Sequence, residues 1–499
     1  MKVIVYLVLI VGAFLSCTNR STSKKQANIL FIFTDDQTYS ALGALGNNEI
    51  ITPNLDRLVE EGTSFNNAYN MGAWTGAVCT ASRSMIISGR SVWNANNHRE
   101  RWKSGDSAAI AQSWPKLMEA AGYDTYFTGK WHVDVPAQKV FRYVKHVRLG
   151  MPKDAWEYLK MQHLFKTKVA SGEISPSEIM PLGYNRPLDE DDDSWNPADT
   201  TFGGFWEGGK HWSEVLKDDA IEFLEASQDK DNPFFMYLAF NAPHDPRQAP
   251  QEFQDMYDLH KISLPESWQP LHPLREAMGS GYDMRDEALA PFPRTEFATK
   301  THIKEYYAMI THLDQQIGLI LDKLEETGQK ENTFVFFTAD HGLAMGRHGL
   351  LGKQNLYEHS MKPPFIAVGP SIPKEKQIDA PIYLQDVMAS SLEIAGIEKP
   401  GYVEFNSVLP LANGTRKQTF YENGIYGAYI QYQRSIRMGD YKLIHLPNVQ
   451  KTFLFNLVED PEEMHDLSQD ESHQGRVNEL MVNLKKLQSQ YRDTLEITL

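Results

Sequence analysis

Four short apolar runs in the chain each end in polar residues with titratable side chains. The runs cover residues 28–33, 123–127, 234–240 and 333–337 and are rich in β-branched and aromatic residues. Continuous runs of this kind predict strands that are buried on both faces. The polar residues that follow them are Asp35 and Asp36, then Lys130 and His132, then His244 and Asp245, and finally Asp340 and His341.

Helical patterns alternate with these runs. Residues 53–61 begin with Pro53 and stop at Gly62, as a short helix does. Residues 304–326 place an apolar side chain at every third or fourth position and stop before Gly328. The alternation predicts an α/β fold, a sheet with helices on both sides. Ligands of such sheets bind beyond the carboxyl ends of the strands, where all four polar groups fall.

The alternation breaks after Ala412-Asn413-Gly414. Apolar-alternating stretches around Ile436 and at 441–444, the run 453–457 and a final helix from about Gln474 predict a second, smaller α/β unit. We therefore divide the chain into residues 27–411 and 412–499. The acidic run at 189–193 is interpreted as a solvated loop, with a calcium loop as the alternative.

The N-terminus has the pattern of an export signal. Lys2 precedes an apolar run over residues 3–15, which is shorter than the roughly 20 residues of a membrane span. The run ends at Leu15-Ser16-Cys17, similar to a bacterial lipoprotein signal. We predict a signal peptide over residues 1–16, lipidation of Cys17 and a tether over residues 17–26. Ordinary signal-peptide cleavage nearby is the alternative, and both place the protein in the bacterial periplasm or at the cell surface.

Composition narrows the range of partners. The 499 residues carry 49 basic and 65 acidic side chains, a formal charge of −16. This balance argues against nucleic acid or an anionic membrane surface as a partner, because both need a basic face. The only membrane contact that we expect is the lipid anchor. A small anionic substrate in a locally cationic pocket is compatible with the charge.

Cys79 is the one cysteine besides Cys17. It opens the run Cys79-Thr80-Ala81-Ser82-Arg83, before a helix predicted over residues 82–88 and ended by Gly89. The helix dipole and the neighbouring Arg83 both favour an anion at that position. The alternative is a buried structural thiol.

The two acidic groups predict a metal site. Asp35 and Asp36 after one strand and Asp340 and His341 after another can converge on a hard divalent cation, although an isolated acidic pair is more often a turn or a helix cap. Calcium accepts carboxylate oxygens with few geometric demands, and magnesium is the nearest alternative.

The spacing Cys79-x-Ala81-x-Arg83, followed by Ser88-Gly89-Arg90, resembles the signature of the type I sulfatases, whose commoner form has Pro in place of Ala81. The resemblance extends over nearly the whole mature chain. Further matches are Gly129-Lys130-Trp131-His132, Pro243-His244-Asp245-Pro246, Gly352-Lys353 and the stretches 62–69, 437–443 and 457–463.

The resemblance implies a large mixed, mostly parallel sheet of the alkaline-phosphatase type. It also implies that a maturation enzyme oxidises Cys79 to formylglycine, and that Asp35, Asp36, Asp340, His341 and an oxygen of the converted Cys79 bind calcium. In the family the hydrated formylglycine attacks sulfur. The roles implied for the other residues are Arg83 holding the hydrate, Lys130 and Lys353 holding sulfate oxygens, His132 supporting the hydrate or a base step, and His244 protonating the leaving oxygen.

The expected substrate is a sulfated carbohydrate. Planar hydrogen-bonding side chains hold sugars, and the candidate contacts are His98, Arg99, Arg347 and His348, although a solvated loop explains the 94–102 stretch about as well. Two alternatives remain open. One is a phosphate or phosphonate ester hydrolase of the same superfamily, and the other is a non-catalytic glycan-binding protein in which Cys79 stays a thiol.

Overall fold

The four apolar runs form the centre of an eight-stranded sheet. The computed structural model describes residues 26–148, 158–169, 171–175, 178–206, 208–245, 247–281 and 283–497. The predicted signal peptide, Cys17 and all but the last residue of the predicted tether lie outside these ranges. Within them, no helix is long and apolar enough to cross a lipid bilayer.

The strands of the described chain belong to three sheets. The eight-stranded sheet has the order β10-β2-β9-β8-β1-β7-β5-β6, and all neighbours are parallel except β9, which runs antiparallel to β8 and β2. Strands β3 and β11 pair separately. The strands are β1 (Asn28–Thr34), β2 (Thr63–Phe65), β3 (Ala68–Tyr69), β4 (Gly72–Ala73), β5 (Asp124–Lys130), β6 (Tyr143–Arg148), β7 (Phe234–Ala239), β8 (Thr333–Ala339), β9 (Phe365–Val368), β10 (Lys376–Ile378), β11 (Ile382–Tyr383), β12 (Ile425–Tyr429), β13 (Gln433–Met438), β14 (Tyr441–Leu446) and β15 (Lys451–Asn456).

Helices cover both faces of the large sheet. The α-helices are α1 (Pro53–Glu61), α2 (Val78–Ser88), α3 (Val92–Lys103), α4 (Ser107–Ala111), α5 (Trp114–Ala120), α6 (Ala137–Val140), α7 (Tyr158–Leu164), α8 (Trp212–Ser227), α9 (Gln251–Gln254), α10 (Arg275–Met278), α11 (Glu296–Glu326), α12 (Glu358–Met361), α13 (Asp386–Ile394), α14 (Leu409–Ala412) and α15 (Gln474–Gln490).

Central strand β1 divides its side chains between two hydrophobic cores. Leu30 and Ile32 pack in the core formed with α1, α8 and α11. Ile29, Phe31 and Phe33 pack in the opposite core, with α2, α5 and α13. All seven residues of β1 are buried, so burial on both faces explains why the sequence shows a continuous apolar run there.

The C-terminal part of the chain forms a second sheet, of order β15-β14-β13-β12-β4, with α15 packed on it. Strands β12 to β15 are antiparallel neighbours, whereas β4 joins β12 in parallel. Strand β4 belongs to the N-terminal part of the chain and lies shortly before α2. The second sheet is therefore attached to the segment that leads into the helix of Cys79.

The predicted fold class is confirmed: a large, mostly parallel α/β sheet between helices, with a smaller C-terminal unit. The division at residue 412 stays a prediction. Two predicted helices begin earlier than expected, α2 at Val78 and α11 at Glu296, where the Thr295 side chain accepts a hydrogen bond from the Ala298 amide. The acidic run at 189–193 lies in a largely exposed loop.

Gly72 provides a test of how strongly β4 holds the second sheet. Its φ is +93°, and a Cβ there would lie 1.9 Å from the carbonyl oxygen of Ala428 in β12. A left-handed backbone costs an L residue about 1–2 kcal/mol, and overpacking adds typically 1–3 kcal/mol. We expect Gly72→Ala to lower the free energy of unfolding by about 3 kcal/mol, measured by denaturant titration.

Gly46→Ala is the matched control for Gly72→Ala. Gly46 has a φ of +106°, but a Cβ added there would have no atom within 4 Å. Only the backbone cost of about 1–2 kcal/mol applies to it. Equal losses in the two variants would contradict a close approach of β4 to β12.

Candidate active site

Four adjacent strands of the large sheet, β8, β1, β7 and β5, deliver charged side chains to one edge. Because these strands are parallel, their carboxyl ends meet there. Helix α2 adds Cys79 in its first turn. The residues assembled at this edge are Asp35 and Asp36 after β1, Asp340 and His341 after β8, His244 after β7, Lys130 at the end of β5, and Lys353 from a later loop.

The turn after β1 is held by two hydrogen bonds. Asp36 has a φ of +64°, an uncommon backbone conformation for a residue other than glycine. Its amide donates to Asp340 Oδ1 at 3.1 Å, and the Tyr306 hydroxyl donates to its carbonyl oxygen at 2.7 Å. These contacts keep the Asp36 carboxylate directed at the site.

Each buried carboxylate of the site has a cationic partner. Asp35 pairs with Lys130 and lies 3.4 Å from Arg83 Nη2. Arg83 Nε lies 3.2 Å from Asp340 Oδ2. Lys353 Nζ donates to both oxygens of Asp36, at 2.7 and 2.9 Å. Buried charged groups are stable only when each is paired with an opposite charge. The cations are therefore needed to keep these carboxylates ionised inside the protein.

The thiol of Cys79 lies inside this set of charges. Its Sγ is 3.2 Å from Lys353 Nζ, 3.4 Å from His341 Nε2 and 3.9 Å from Asp36 Oδ1. Burial opposes ionisation of the thiol, yet the cations Lys130 and Lys353 outweigh it and lower its pKa. Cys79 Sγ is therefore in contact with titratable side chains.

The carboxylates differ in their protonation. Burial raises the pKa of both Asp36 and Asp340 to about 7. Burial acts on Asp35 in the same direction, but Lys130 and Arg83 hold its pKa well below the ordinary value. Burial lowers the pKa of His341, whereas Asp340 and Asp36 together raise it to about 9. Asp36 and Asp340 are therefore only partly ionised near pH 7, whereas Asp35 is ionised.

These residues fit a hard divalent cation. Ligand atoms of Asp35, Cys79, Asp340 and His341 lie within 4.8 Å of one another, and so do those of Asp35, Asp36, Cys79 and His244. Among the described residues, Oδ1 of the buried Asp35 carboxylate has no hydrogen-bond partner, whereas Oδ2 pairs with Lys130 and Arg83. Together the two groups offer three carboxylates, which are ligands that calcium and magnesium select, besides two imidazoles and one thiol.

His244 is held in one tautomer. Its Nδ1 lies 2.7 Å from the Asp245 carbonyl oxygen, and its Nε2 lies 3.2 Å from Arg285 Nη2. A carbonyl only accepts and a guanidinium only donates, so Nδ1 carries the proton and Nε2 the lone pair. Burial lowers the pKa of His244 well below its ordinary value, and Lys130 lowers it further. In this state His244 is neutral, and it can act as an acid at Nε2 only after gaining a proton.

His132 lies just beyond the end of β5. Its φ is +52°, and in the described structure its buried Nδ1 has no hydrogen-bond partner. Burial lowers the pKa of His132 to about 3, and Lys130 adds to that effect. A neutral imidazole with an unused nitrogen is therefore available to a bound ligand.

The four candidate sugar contacts pair with residues other than Cys79 and its charged neighbours. His98 is buried against Trp102, with ring centroids 5.0 Å apart. Arg99 Nε lies 2.5 Å from Asp134, and its guanidinium lies 5.7 Å from the Trp74 ring centroid. Contacts with the segment after β15 hold the other two: Arg347 Nε is 3.3 Å from the Glu462 carboxylate, and His348 Nε2 is 2.9 Å from the Glu462 carbonyl oxygen. Their role in binding sugar stays a prediction.

The structure adds site residues that the sequence analysis missed. Arg285 contacts His244 and Asp245, and Asp286 lies 3.7 Å from Lys353 Nζ. They belong to a segment without clear periodicity, and a run of charges usually indicates a solvated surface. The signal available in the sequence was that three consecutive charges at 285–287 precede the apolar residues 288–290.

Comparison with known families gives two matches. The family model described as Sulfatase matches residues 27–397. The model described as N-sulphoglucosamine sulphohydrolase, C-terminal, matches residues 346–490. Among curated proteins, N-acetylglucosamine-6-O-sulfatase of Bacteroides thetaiotaomicron is 26% identical over 96% of this chain and 89% of that protein. An arylsulfatase of Clostridium perfringens is 29% identical over 91% of this chain and 92% of that protein.

Solved structures share the fold. One, a protein in complex with its substrate D-glucosamine-2-N,6-O-disulfate, has a TM-score of 0.68 at 22% identity and covers 94% of this chain and 99% of that chain. A phosphonate monoester hydrolase of Agrobacterium radiobacter has a TM-score of 0.67 at 17% identity and covers 93% of this chain and 96% of that chain. The fold alone therefore does not separate sulfur from phosphorus chemistry.

Proposed function

The chain belongs to the sulfatase family and is a sulfuric ester hydrolase, and on that premise we propose that it removes sulfate from O-sulfated carbohydrates. The observation that carries the proposal is the position of Cys79 Sγ between Lys353 Nζ and His341 Nε2, beside three buried carboxylates. Two similar proteins support a carbohydrate as the substrate. One is named N-acetylglucosamine-6-O-sulfatase, and the other was solved in complex with its substrate D-glucosamine-2-N,6-O-disulfate. Export and lipid attachment at Cys17 belong to the same proposal and rest on the N-terminal pattern.

We propose that a maturation enzyme converts Cys79 to formylglycine. The conversion is a two-electron oxidation of Cβ in which the thiol sulfur leaves, with the oxidant supplied to that enzyme. Formylglycine would supply a hydrated aldehyde as the nucleophile for sulfur. A divalent cation, calcium in our proposal, would be held by Asp35, Asp36, Asp340 and neutral His341 and would supply positive charge beside the nucleophile and the sulfate group.

The chain's own residues perform the remaining tasks. Lys130 and Lys353 carry the positive charge that an anionic sulfate group needs as charge develops on its oxygens. Arg83, with its side chain buried between Asp35 and Asp340, orients those carboxylates and the first turn of α2. His244 has a lone pair at Nε2, which would take the proton that the attacking nucleophile loses and pass it to the departing sugar oxygen.

Replacement of Cys79 tests the nucleophile. Because the proposed attacking group is made from this side chain, we expect Cys79→Ala to lower kcat on 4-nitrophenyl sulfate at least about 10³-fold. The thermal unfolding midpoint should stay near the wild-type value, since the side chain at position 79 is proposed to take part in the reaction and not to stabilise the fold. Mass spectrometry of the peptide holding residue 79, from a host that matures sulfatases, should show the aldehyde.

The same preparations separate the alternative functions. Wild-type turnover of a phenyl phosphonate ester above that of the sulfate ester would favour the phosphonate hydrolase. An unmodified thiol together with retained binding of a sulfated sugar would favour a glycan-binding protein.

Metal removal tests the cation site. Prolonged chelation should abolish turnover, and calcium should restore it better than magnesium, as followed by activity and by elemental analysis of the protein. Calcium at 100 times its dissociation constant should also stabilise the fold by about 2.7 kcal/mol. Asp36→Asn should lose the bound calcium. Asp189→Asn, in the exposed acidic loop, is the control, and loss of calcium in that variant would place the ion in the acidic loop.

His244→Ala tests the proton donor. General acid catalysis contributes about 10²–10⁴-fold, so His244→Ala should lose about that much kcat on a sulfated sugar, whose alkoxide is a poor leaving group. The loss on 4-nitrophenyl sulfate should be clearly smaller, because nitrophenolate departs without a proton. Equal losses on the two substrates would make His244 a sulfate-binding residue.

A further inference from the structure

Three consecutive charged residues, Arg285, Asp286 and Glu287, contact three different parts of the active site. The Arg285 guanidinium reaches the loop after β7. Its Nη2 lies 3.2 Å from His244 Nε2 and 3.2 Å from Asp245 Oδ1, and it also pairs with Asp286. The Asp245 carbonyl oxygen holds the proton on Nδ1, and Arg285 fixes the direction of the imidazole through the Nε2 lone pair. The contact with Nε2 gives way when that nitrogen takes a proton, because two donors cannot face each other.

Asp286 reaches the lysine loop and the segment before Cys79. Its carboxylate accepts a hydrogen bond from Gln354 Nε2 at 2.7 Å and lies 3.7 Å from Lys353 Nζ. Gln354 Nε2 also donates to the carbonyl oxygen of Gly76 at 3.0 Å. One buried carboxylate thus joins the lysine to the loop that enters α2.

Glu287 fixes the backbone of the same lysine loop. Its two carboxylate oxygens accept hydrogen bonds from the amides of Leu351 and Gly352, at 3.0 and 2.9 Å. Arg294 balances its charge at 2.6 Å, and both side chains are fully buried. The main chain is therefore held at Leu351 and Gly352, directly before Lys353.

We propose that Arg285–Glu287 is a positioning segment, in which Arg285 orients His244 for proton transfer and Asp286 orients Lys353 for sulfate binding. The inference rests on the proposed function, because its kinetic readout needs a sulfate ester. Burying three adjacent charges is costly unless each is paired. Arg285 and Asp286 have partners among the catalytic side chains and their loops, and Glu287, whose charge Arg294 balances, holds the amides of the Lys353 loop. A segment that served stability alone would gain more from apolar residues of similar volume.

Kinetics with two aryl sulfates separate positioning from stability. Arg285→Gln should lower kcat on phenyl sulfate, whose phenolate is a poor leaving group, at least about tenfold. On 4-nitrophenyl sulfate the loss of kcat should be less than about threefold, and KM should stay nearly unchanged on both substrates. In the His244→Ala background, Arg285→Gln should cause no further loss, because the two residues act as a unit. Asp286→Asn should instead raise KM for 4-nitrophenyl sulfate at least about fivefold, an effect that disappears in the Lys353→Ala background.

The controls use arginines of matched chemistry. Arg285→Lys keeps the positive charge but loses the planar guanidinium, so it should retain more activity on phenyl sulfate than Arg285→Gln does. If the Arg285→Gln protein does not fold, Arg285→Lys takes its place in the kinetic test. Arg142 also contacts two carboxylates, Asp124 and Glu119, but at the amino end of β5. Arg142→Gln should leave both aryl sulfate activities unchanged.

The outcomes distinguish this inference from the proposed function. Failure of the wild-type protein to cleave both aryl sulfates and also a sulfated sugar would reject the proposed function. The coupling of Arg285 to His244 is then measured in the thermal unfolding midpoints of the single and double variants, where positioning predicts non-additive shifts. The positioning role would be overturned if Arg285→Gln lost equal kcat on both aryl sulfates and that loss added to the loss of His244→Ala. Additive shifts of the thermal unfolding midpoint in the single and double variants would overturn it as well.

Discussion

Buried negative charge at one edge of the sheet is the constraint on which the rest of the structure depends. Asp35, Asp36 and Asp340 are almost completely excluded from water, and like charges this close raise the cost of ionisation. The order β8-β1-β7-β5 brings Lys130 and His244 to the same edge as these carboxylates. Fully buried Arg83 lies between two of them, so the sheet order, the start of α2 and the cation positions together make the cluster tolerable.

Charge pairing within the cluster links the metal to the substrate. Lys130 pairs with Asp35 and Lys353 with Asp36. A sulfate group needs those same ammonium groups. A calcium ion bound to the carboxylates would free the two ammonium groups to bind an anion. We therefore expect calcium and a sulfate ester to bind cooperatively, so that each raises the affinity of the protein for the other.

The sequence predicted those parts of the fold and the site that depend on local pattern. Continuous apolar runs identify β1, β5, β7 and β8. Because these strands are parallel, the residues directly after each run lie at the same edge of the sheet. The start of α2 was missed because Ala77 provides no side-chain cap to mark it. Arg285 was missed because its partner His244 lies about forty positions earlier, and nothing in a local window distinguishes its charge from a solvated one.

The C-terminal unit contributes to the active site through the loop of Lys353. Gln433 in β13 donates from Nε2 to the carbonyl oxygen of Gln354 at 3.0 Å, and its Oε1 accepts from the amide of Leu356 at 3.1 Å. Glu287 holds the same loop from the other side, at Leu351 and Gly352. Lys353 therefore depends on both units, while β4 joins the second sheet to the segment before Cys79. This double attachment explains in physical terms why a small antiparallel sheet accompanies a catalytic centre built on a parallel one.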